Sequence, residues 1–339
     1  SYDELVAFYR SHYHPSNAIF MTYGDISAAE HQQKFEERAL HRFQRQDLRI
    51  QVPPETHLPA PIRAREHYAY DESGDTANKT HLVMGWMLGE SSDLEQMLEA
   101  QLLSSVLLDN SASPLQQALE TTELGQSPSP LCGLEDSMRE MVFVVGLEGS
   151  EAEHADALED LVLRVLQDVA DNGVAHERLQ AVLHQLELHQ REVSGDGYPY
   201  GLQLILQALG CATHYSDPIA VLNLDPVIDA LRQRIEDPGY IKELARRLLL
   251  DNPHRVTLVM EPDSELSAQR RQKEAQRLEQ IKSAMDEAQQ QATVDLAAAL
   301  VARQQQKDDE SILPKVELSD VPASLPELEF VAHNLSLIH

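Results

Sequence analysis

"YDELVAFYRSHYHPSNAIFMTYGD" (Tyr2–Asp25) lies over "YIKELARRLLLDNPHRVTLVMEPD" (Tyr240–Asp263) at an offset of 238 residues. Tyr2 meets Tyr240, Pro15 meets Pro253, Phe20 meets Leu258 and Asp25 meets Asp263. Each stretch reads as a helix, a turn carrying proline, a short apolar strand and a closing Gly-Asp or Pro-Asp. In the first, Leu5, Val6, Phe8 and Tyr9 recur on one helical face, and Pro15 disfavours helix at His14. A period this long belongs to a domain rather than to a solenoid repeat. The overlay therefore predicts two copies of one α+β domain: the tail of the first, then nearly all of the second.

The chain between and beyond the copies divides by the same signals. Ser27, with Glu30 three residues on, predicts a capped helix through about Arg45. "QVPPETHLPAPIRA" (Gln51–Ala64) carries four prolines and reads as an extended linker. "THLVMGWMLGE" (Thr80–Glu90), "SMREMVFVVGLEGS" (Ser137–Ser150) and "HRVTLVMEPD" (His254–Asp263) are strands. In the second of these, Met141, Phe143 and Val145 share one side and Val142 and Val144 the other, which predicts cover on both faces. After Thr80–Glu90 comes a helix capped by Ser91 or Ser92, with Leu94, Met97, Leu98, Leu102 and Val106 along one face. A further helix has Pro114 in its first turn and Gly125 as its stop. Residues 151–250 are rich in helix, interrupted at Asn172–Gly173, at "SGDGYPYG" and at two Asp-Pro pairs.

From Ser264 to Glu310 there is neither glycine nor proline. Leu278, Ile281, Met285 and Ala288 form a narrow seam, and two antiparallel helices are expected to turn near Gln290–Thr293, with Thr293 as N-cap. The expected organisation is a first-domain tail at 1–46, a linker at 47–62, a second α+β domain at 63–263, a helical hairpin at 264–310 and a Pro-rich lead-in at 311–339. The fold class is α+β: an antiparallel sheet packed with helices, followed by a long antiparallel helical hairpin.

Composition narrows the function. The 339 residues exceed one ordinary domain, and 42% are apolar, enough for real cores. With 27 basic against 56 acidic residues the net charge is −29, which argues against nucleic acid as a partner. The same charge suits basic peptides, although a solvated acidic surface explains it more cheaply. No apolar run is long enough to span a membrane, and no signal peptide opens the chain. The opening residues read as a helix already under way, as in a cut from a longer polypeptide. Cys132 and Cys211 have no CxxC spacing, which favours reduced thiols in a cytoplasm-like compartment.

His12 and His14 stand two apart ahead of an apolar run, but they fall opposite Leu250 and Asn252 in the second copy. A loop explains this better than a zinc site, which needs three or four convergent ligands. His14 is expected to make a local turn contact beside Pro15. His184 and His189, five apart on a helix, point about 140° away from each other around its axis. His154, His176 and His214 read as surface residues. Glu120 and Glu123, or Asp308, Asp309 and Glu310, read as solvated helix faces and ends. HxxEH, HExxH, GxSxG and phosphate-loop signatures do not occur.

Four stretches in order give the chain a family resemblance: "LVAFYRSHYHPSNAIFMTYGDI" (Leu5–Ile26), "FVVGLEG" (Phe143–Gly149), "LHQREVSGDGYPYGLQLI" (Leu188–Ile205) and "LAAALVARQQQKDDESILPKVELSDVP" (Leu296–Pro322). Together they resemble the pitrilysin/insulinase superfamily of zinc metallopeptidases, in its presequence-protease branch. The resemblance implies a domain like those of the mitochondrial processing peptidase, within a four-domain enzyme whose halves close around unfolded peptides. It places the family's zinc, its HxxEH and the glutamate base ahead of Ser1, and a further arginine and tyrosine beyond His339. No catalytic, cofactor-binding or metal-ligating residue is therefore assigned to this chain, which is expected to be inactive alone. The implied partners are the remaining domains of the same polypeptide and an unfolded peptide substrate, with no nucleic acid and no membrane. The implied compartment is a bacterial-type cytoplasm, or an organelle matrix in a eukaryote. Two alternatives stay open: a non-enzymatic scaffold subunit of the same fold, and an acidic helical interaction protein.

Overall fold

The computed structural model describes residues 1–47, 49–71, 73–191, 199–313, 315–321 and 324. Most of "SGDGYPYG" and much of the 311–339 lead-in thus lie outside the described residues. The chain forms two units, 1–269 and 270–339.

The first unit opens with α1 (Tyr2–His12), whose capping box joins Ser1 and Glu4. A 3₁₀ turn at Pro15–Asn17 follows. The expected apolar strand does not form: Ala18–Tyr23 is unpaired, and Ile19, Phe20 and Tyr23 are exposed. A strand needs a neighbour for its hydrogen bonds, and none lies beside this segment among the described residues. Then α2 (Ala28–Arg38) begins at Ser27, which accepts from the Glu30 amide, and ends earlier than expected, in a 3₁₀ turn at Leu40–Arg42.

The Pro-rich stretch is extended but held down. Tyr215 donates to the Ile50 carbonyl at 2.8 Å, and the Glu55 amide donates to Glu140 at 2.6 Å. Arg139 donates to the Val52 carbonyl.

It leads into β1 (Ile62–Ala69), a strand that the sequence patterning does not reveal. Next come β2 (Thr80–Glu90), the short β3 (Ser127–Pro128) and β4 (Gly133–Glu135), β5 (Glu140–Ser150) and β6 (Arg255–Asp263). Among the described residues they make one sheet in the order β1-β6-β2-β5-β3, with β4 also on β5. All pairs are antiparallel except β1 with β6.

Helices cover one face: α3 (Leu94–Leu108), α4 (Pro114–Thr121), α5 (Ala155–Asn172), α6 (His176–Arg191), α7 (Tyr200–Thr213), α8 (Asp225–Arg234) and α9 (Tyr240–Ala245). Asp93 caps α3, because Ser91 is turned to the Met138 carbonyl and Ser92 to Glu90. The last helix runs on into a π-helical turn, Arg246–Leu250. Leu82, Met84, Trp86, Met141, Phe143, Val145 and Leu147 point into this layer and meet Leu98, Leu102, Leu158, Val162 and Leu244.

In the second unit the break between helices comes at Met285–Asp286, ahead of Gln290–Thr293. The helices on either side are α10 (Leu266–Ala284), which begins in the first unit, and α11 (Glu287–Gln305). Asp286 caps α11 in a reciprocal box with Gln289, so Thr293 is left mid-helix, donating to the Gln289 carbonyl. Neither helix has a buried residue.

Candidate functional site

The two faces of the sheet differ sharply. Opposite the helices, the register aligns Val83 with Leu258 and Gly146, and Gly85 with Val256 and Val144. These residues, with Met87, Val142 and Met260, form an apolar floor that carries little side-chain bulk around Gly85 and Gly146. Val83, Met87, Val142, Val144, Val256, Leu258 and Met260 are half-buried. The expectation of cover on both faces is corrected here: Val142 and Val144 are shielded sideways by neighbouring strands rather than by a second layer.

The helical side is held by two buried carboxylates that carry no motif in the sequence. Glu99 on α3 accepts from Arg234 (3.0 Å), Arg247 (2.6 Å) and the Tyr240 hydroxyl (2.9 Å). It joins α3 to α8, α9 and the π turn. Burial, and then Glu99 itself, push the Tyr240 phenol above its ordinary value. Glu159 on α5 accepts from Arg63 of β1 (3.0 Å) and from Arg255 (3.0 Å) and Thr257 (3.2 Å) of β6. Each carboxylate sits in step with buried apolar residues three and seven places on, Leu102 and Val106 for Glu99, Val162 and Leu166 for Glu159. A charge inside an apolar helical stripe is the signal that could have found them. The carboxylates singled out from sequence are elsewhere: Glu120 bonds Gln116 and Ser111, and Asp309 caps Ser311, all on exposed surface.

The histidines are occupied locally. His12 stacks on Phe8 with centroids 3.8 Å apart and reaches the Phe8 carbonyl. His14 accepts from the Ser16 amide at 3.1 Å, the expected turn contact. In the second copy Asn252 accepts from the His254 amide at 2.9 Å, the same bond at the same offset. His154 is half-buried rather than on the surface, with its ring 3.0 Å from the Leu124 carbonyl. His176 lies 3.5 Å from Glu236. Among the described residues, no three His, Cys, Asp or Glu side chains come together as a metal would require. Burial raises the pKa of both Cys132 and Cys211, which disfavours a thiolate nucleophile at either position. Among the described residues, no helix is long and apolar enough to cross a membrane.

Comparison with known proteins agrees with this architecture. The family model described as the peptidase M16 inactive domain matches residues 1–186. A second model, for the region associated with subgroup C of the same peptidases, matches residues 260–336. The mitochondrial presequence protease of Xenopus tropicalis is 30% identical over 328 residues, covering 96% of this chain and 32% of that protein. Presequence protease 1, chloroplastic/mitochondrial, of Arabidopsis thaliana is 30% identical over 334 residues, covering 95% and 30%. The chain thus spans about a third of the length of the curated relatives it matches. Among solved structures, a protease from Helicobacter pylori superposes with a TM-score of 0.56 at 15% identity, covering 77% of this chain and 59% of that one. The first half of the periplasmic protease PqqL from Escherichia coli superposes with 0.50 at 14% identity, covering 76% and 54%. These two likenesses show the fold, a sheet packed against helices.

Proposed function

The chain belongs to the peptidase M16 family, as a non-catalytic part of it, and from that premise we propose that it forms one wall of a closed chamber in a zinc-dependent endopeptidase that degrades unfolded peptides. In this reading the zinc and the catalytic side chains come from other domains of the same polypeptide. The helices α10 and α11 belong to the connection between its halves, and 1–46 is the tail of the catalytic domain. For a eukaryotic source the proposed compartment is the organelle matrix, following the mitochondrial and chloroplast relatives.

The observation that carries the reading is the asymmetry of the sheet. One face is sealed by helices and clasped by Glu99 and Glu159, and the other presents a half-covered apolar floor. A floor of that kind contacts extended chains without demanding a particular side chain, as a chamber wall must.

Complementation tests the proposal. The rest of the polypeptide, expressed separately, is expected to cleave an unfolded peptide in a chelator-sensitive way only when mixed with this chain. Chelator-sensitive cleavage by this chain alone would overturn the proposal.

A further inference from the structure

A cavity of about 650 Å³ opens between α3, α7 and the turn that joins β4 to β5. It is lined by none of the residues of the apolar floor. Met97, Leu204, Cys211 and Val221 give it an apolar side, and Gln101 and Asp136 give it a polar end. No lysine, arginine or histidine lines it among the described residues.

The polar end consists of acceptors. The Gln101 amide nitrogen donates to an Asp136 carboxylate oxygen at 3.2 Å. A carboxylate can only accept, so this bond fixes the amide orientation and leaves the Gln101 oxygen as the second acceptor. That oxygen is buried and has no partner among the described residues. A buried acceptor without a donor costs stability, and a bound N–H group that turns the side chain toward itself removes that cost. The negative carboxylate beside it, with no cation in the lining, selects a donor that is also positively charged.

We propose that this cavity binds the basic side chain of a peptide, lysine or arginine, with the aliphatic stem against Met97 and Val221 and the cationic head at Asp136 and Gln101. Its volume is within the range of small-ligand sites and admits a residue with its flanking backbone. The inference rests on the proposed function for its choice of a peptide, whereas the preference for a cation follows from the lining alone.

Gly210 supplies a clean test. It lines the cavity, and a Cβ built there meets nothing within 4 Å. Gly210→Leu therefore fills the cavity without a clash and improves helix propensity. The probes are four blocked tripeptides, acetyl-Leu-X-Leu-amide, with X as arginine, lysine, citrulline or norleucine, titrated into the intact chain by calorimetry or NMR. The arginine and lysine peptides are expected to bind about tenfold more tightly than the other two, as one charge-assisted contact allows. Asp136→Asn should abolish that preference. Gly210→Leu should abolish binding while leaving the thermal midpoint unchanged or higher, so it decides the matter even if the Asp136 variant folds poorly. Equal binding of the norleucine peptide, no saturable binding of any basic peptide, or unaltered binding by Gly210→Leu would each overturn the assignment. None of these results bears on complementation, so the two readings fail separately.

Discussion

Trp86→Phe tests how the last helical turn before β6 is anchored to the sheet. Trp86 is the chain's single tryptophan and is fully buried. Its indole Nε1 donates to the Leu249 carbonyl at 2.9 Å. Leu249 lies in the π turn, where a helix runs out of amides for its last carbonyls. Phenylalanine would keep the contact with Phe143, whose ring centroid is 6.0 Å away, but it carries no donor. The smaller ring leaves a cavity costing about 1 kcal/mol. The orphaned carbonyl adds about 1–3 kcal/mol, for a total loss of about 2–4 kcal/mol. Urea unfolding should be followed by far-ultraviolet circular dichroism, since the fluorescent probe is lost with the residue. At a typical slope the midpoint falls by about 1 M or more, with the slope itself unchanged. Asn252→Ala is the companion variant: Asn252 donates to Met87 (2.8 Å) and Leu248 (3.0 Å) carbonyls at the same helix end. The two losses should couple rather than add. A Trp86→Phe loss below about 0.5 kcal/mol, the size of an ordinary surface change, would refute the argument that the indole anchors this helix end.

Glu99→Gln should cost about 1–2 kcal/mol in the same unfolding assay, less than a fully buried pair, because Arg234 and Arg247 are exposed enough to be resolvated. Glu95→Gln removes an exposed partner of Arg234 and should change stability by less than about 0.5 kcal/mol. The raised Tyr240 phenol has a pH consequence. The folded chain keeps its proton where the unfolded chain loses it, so this contribution is whole below about pH 10 and fades as pH rises further. Tyr240→Phe should flatten that alkaline limb in unfolding measured from pH 8 upward. Gly146→Ala places a Cβ 2.3 Å from the Leu82 carbonyl oxygen and should cost about 2 kcal/mol or more. Gly85→Ala meets only Val142, at 3.8 Å, and should be neutral or stabilising by about 0.5 kcal/mol; thermal melts compare the two. Amide exchange should be fast across Ala18–Tyr23 and slow across Val256–Glu261, which bonds β1 and β2; equal protection would show that the first segment has a sheet partner.

Where periodicity is strong, the fold is legible in the sequence. Thr80–Glu90 is a strand over its full expected length, and the apolar stripe from Leu98 to Val106 faces the core. Three features are not legible, for separate reasons. β1 reads "IRAREHYA", with charges at alternate positions, because its outward arginines are bound to Glu159 and Glu261, partners remote in sequence. The turn between α10 and α11 falls earlier than expected because Asp286 with Gln289 is a stronger start signal than Thr293 alone. The carboxylate clasps are hidden because Glu99 and Glu159 are single charges inside apolar stripes, whereas the acidic clusters that stand out in the sequence are exposed. Gln101 and Asp136 give no sequence signal at all: they are 35 residues apart, and the fold brings them together.

The two copies of the opening motif separate what a segment encodes from what its surroundings supply. Both contain a helix and then a turn in which a side chain accepts the amide two residues on, His14 for Ser16 and Asn252 for His254. That much is local, and it forms with or without a sheet. The third part is not local. Val256–Glu261 is a strand because β1 and β2 flank it, and Ala18–Tyr23, without such neighbours, is extended but unpaired. Burial follows the same division: Leu244 and Leu249 are sealed in the core, whereas Leu5, Phe8 and Tyr9 stay exposed on a helix of equivalent position. Exposed aromatics on a well-capped helix, next to an unpaired apolar segment, are the expected look of a domain tail seen apart from its sheet. The half-covered floor of the second copy has the same physical character. In both places the chain presents apolar surface that its own helices do not cover, which is why the reading assigns both surfaces to contacts outside this segment.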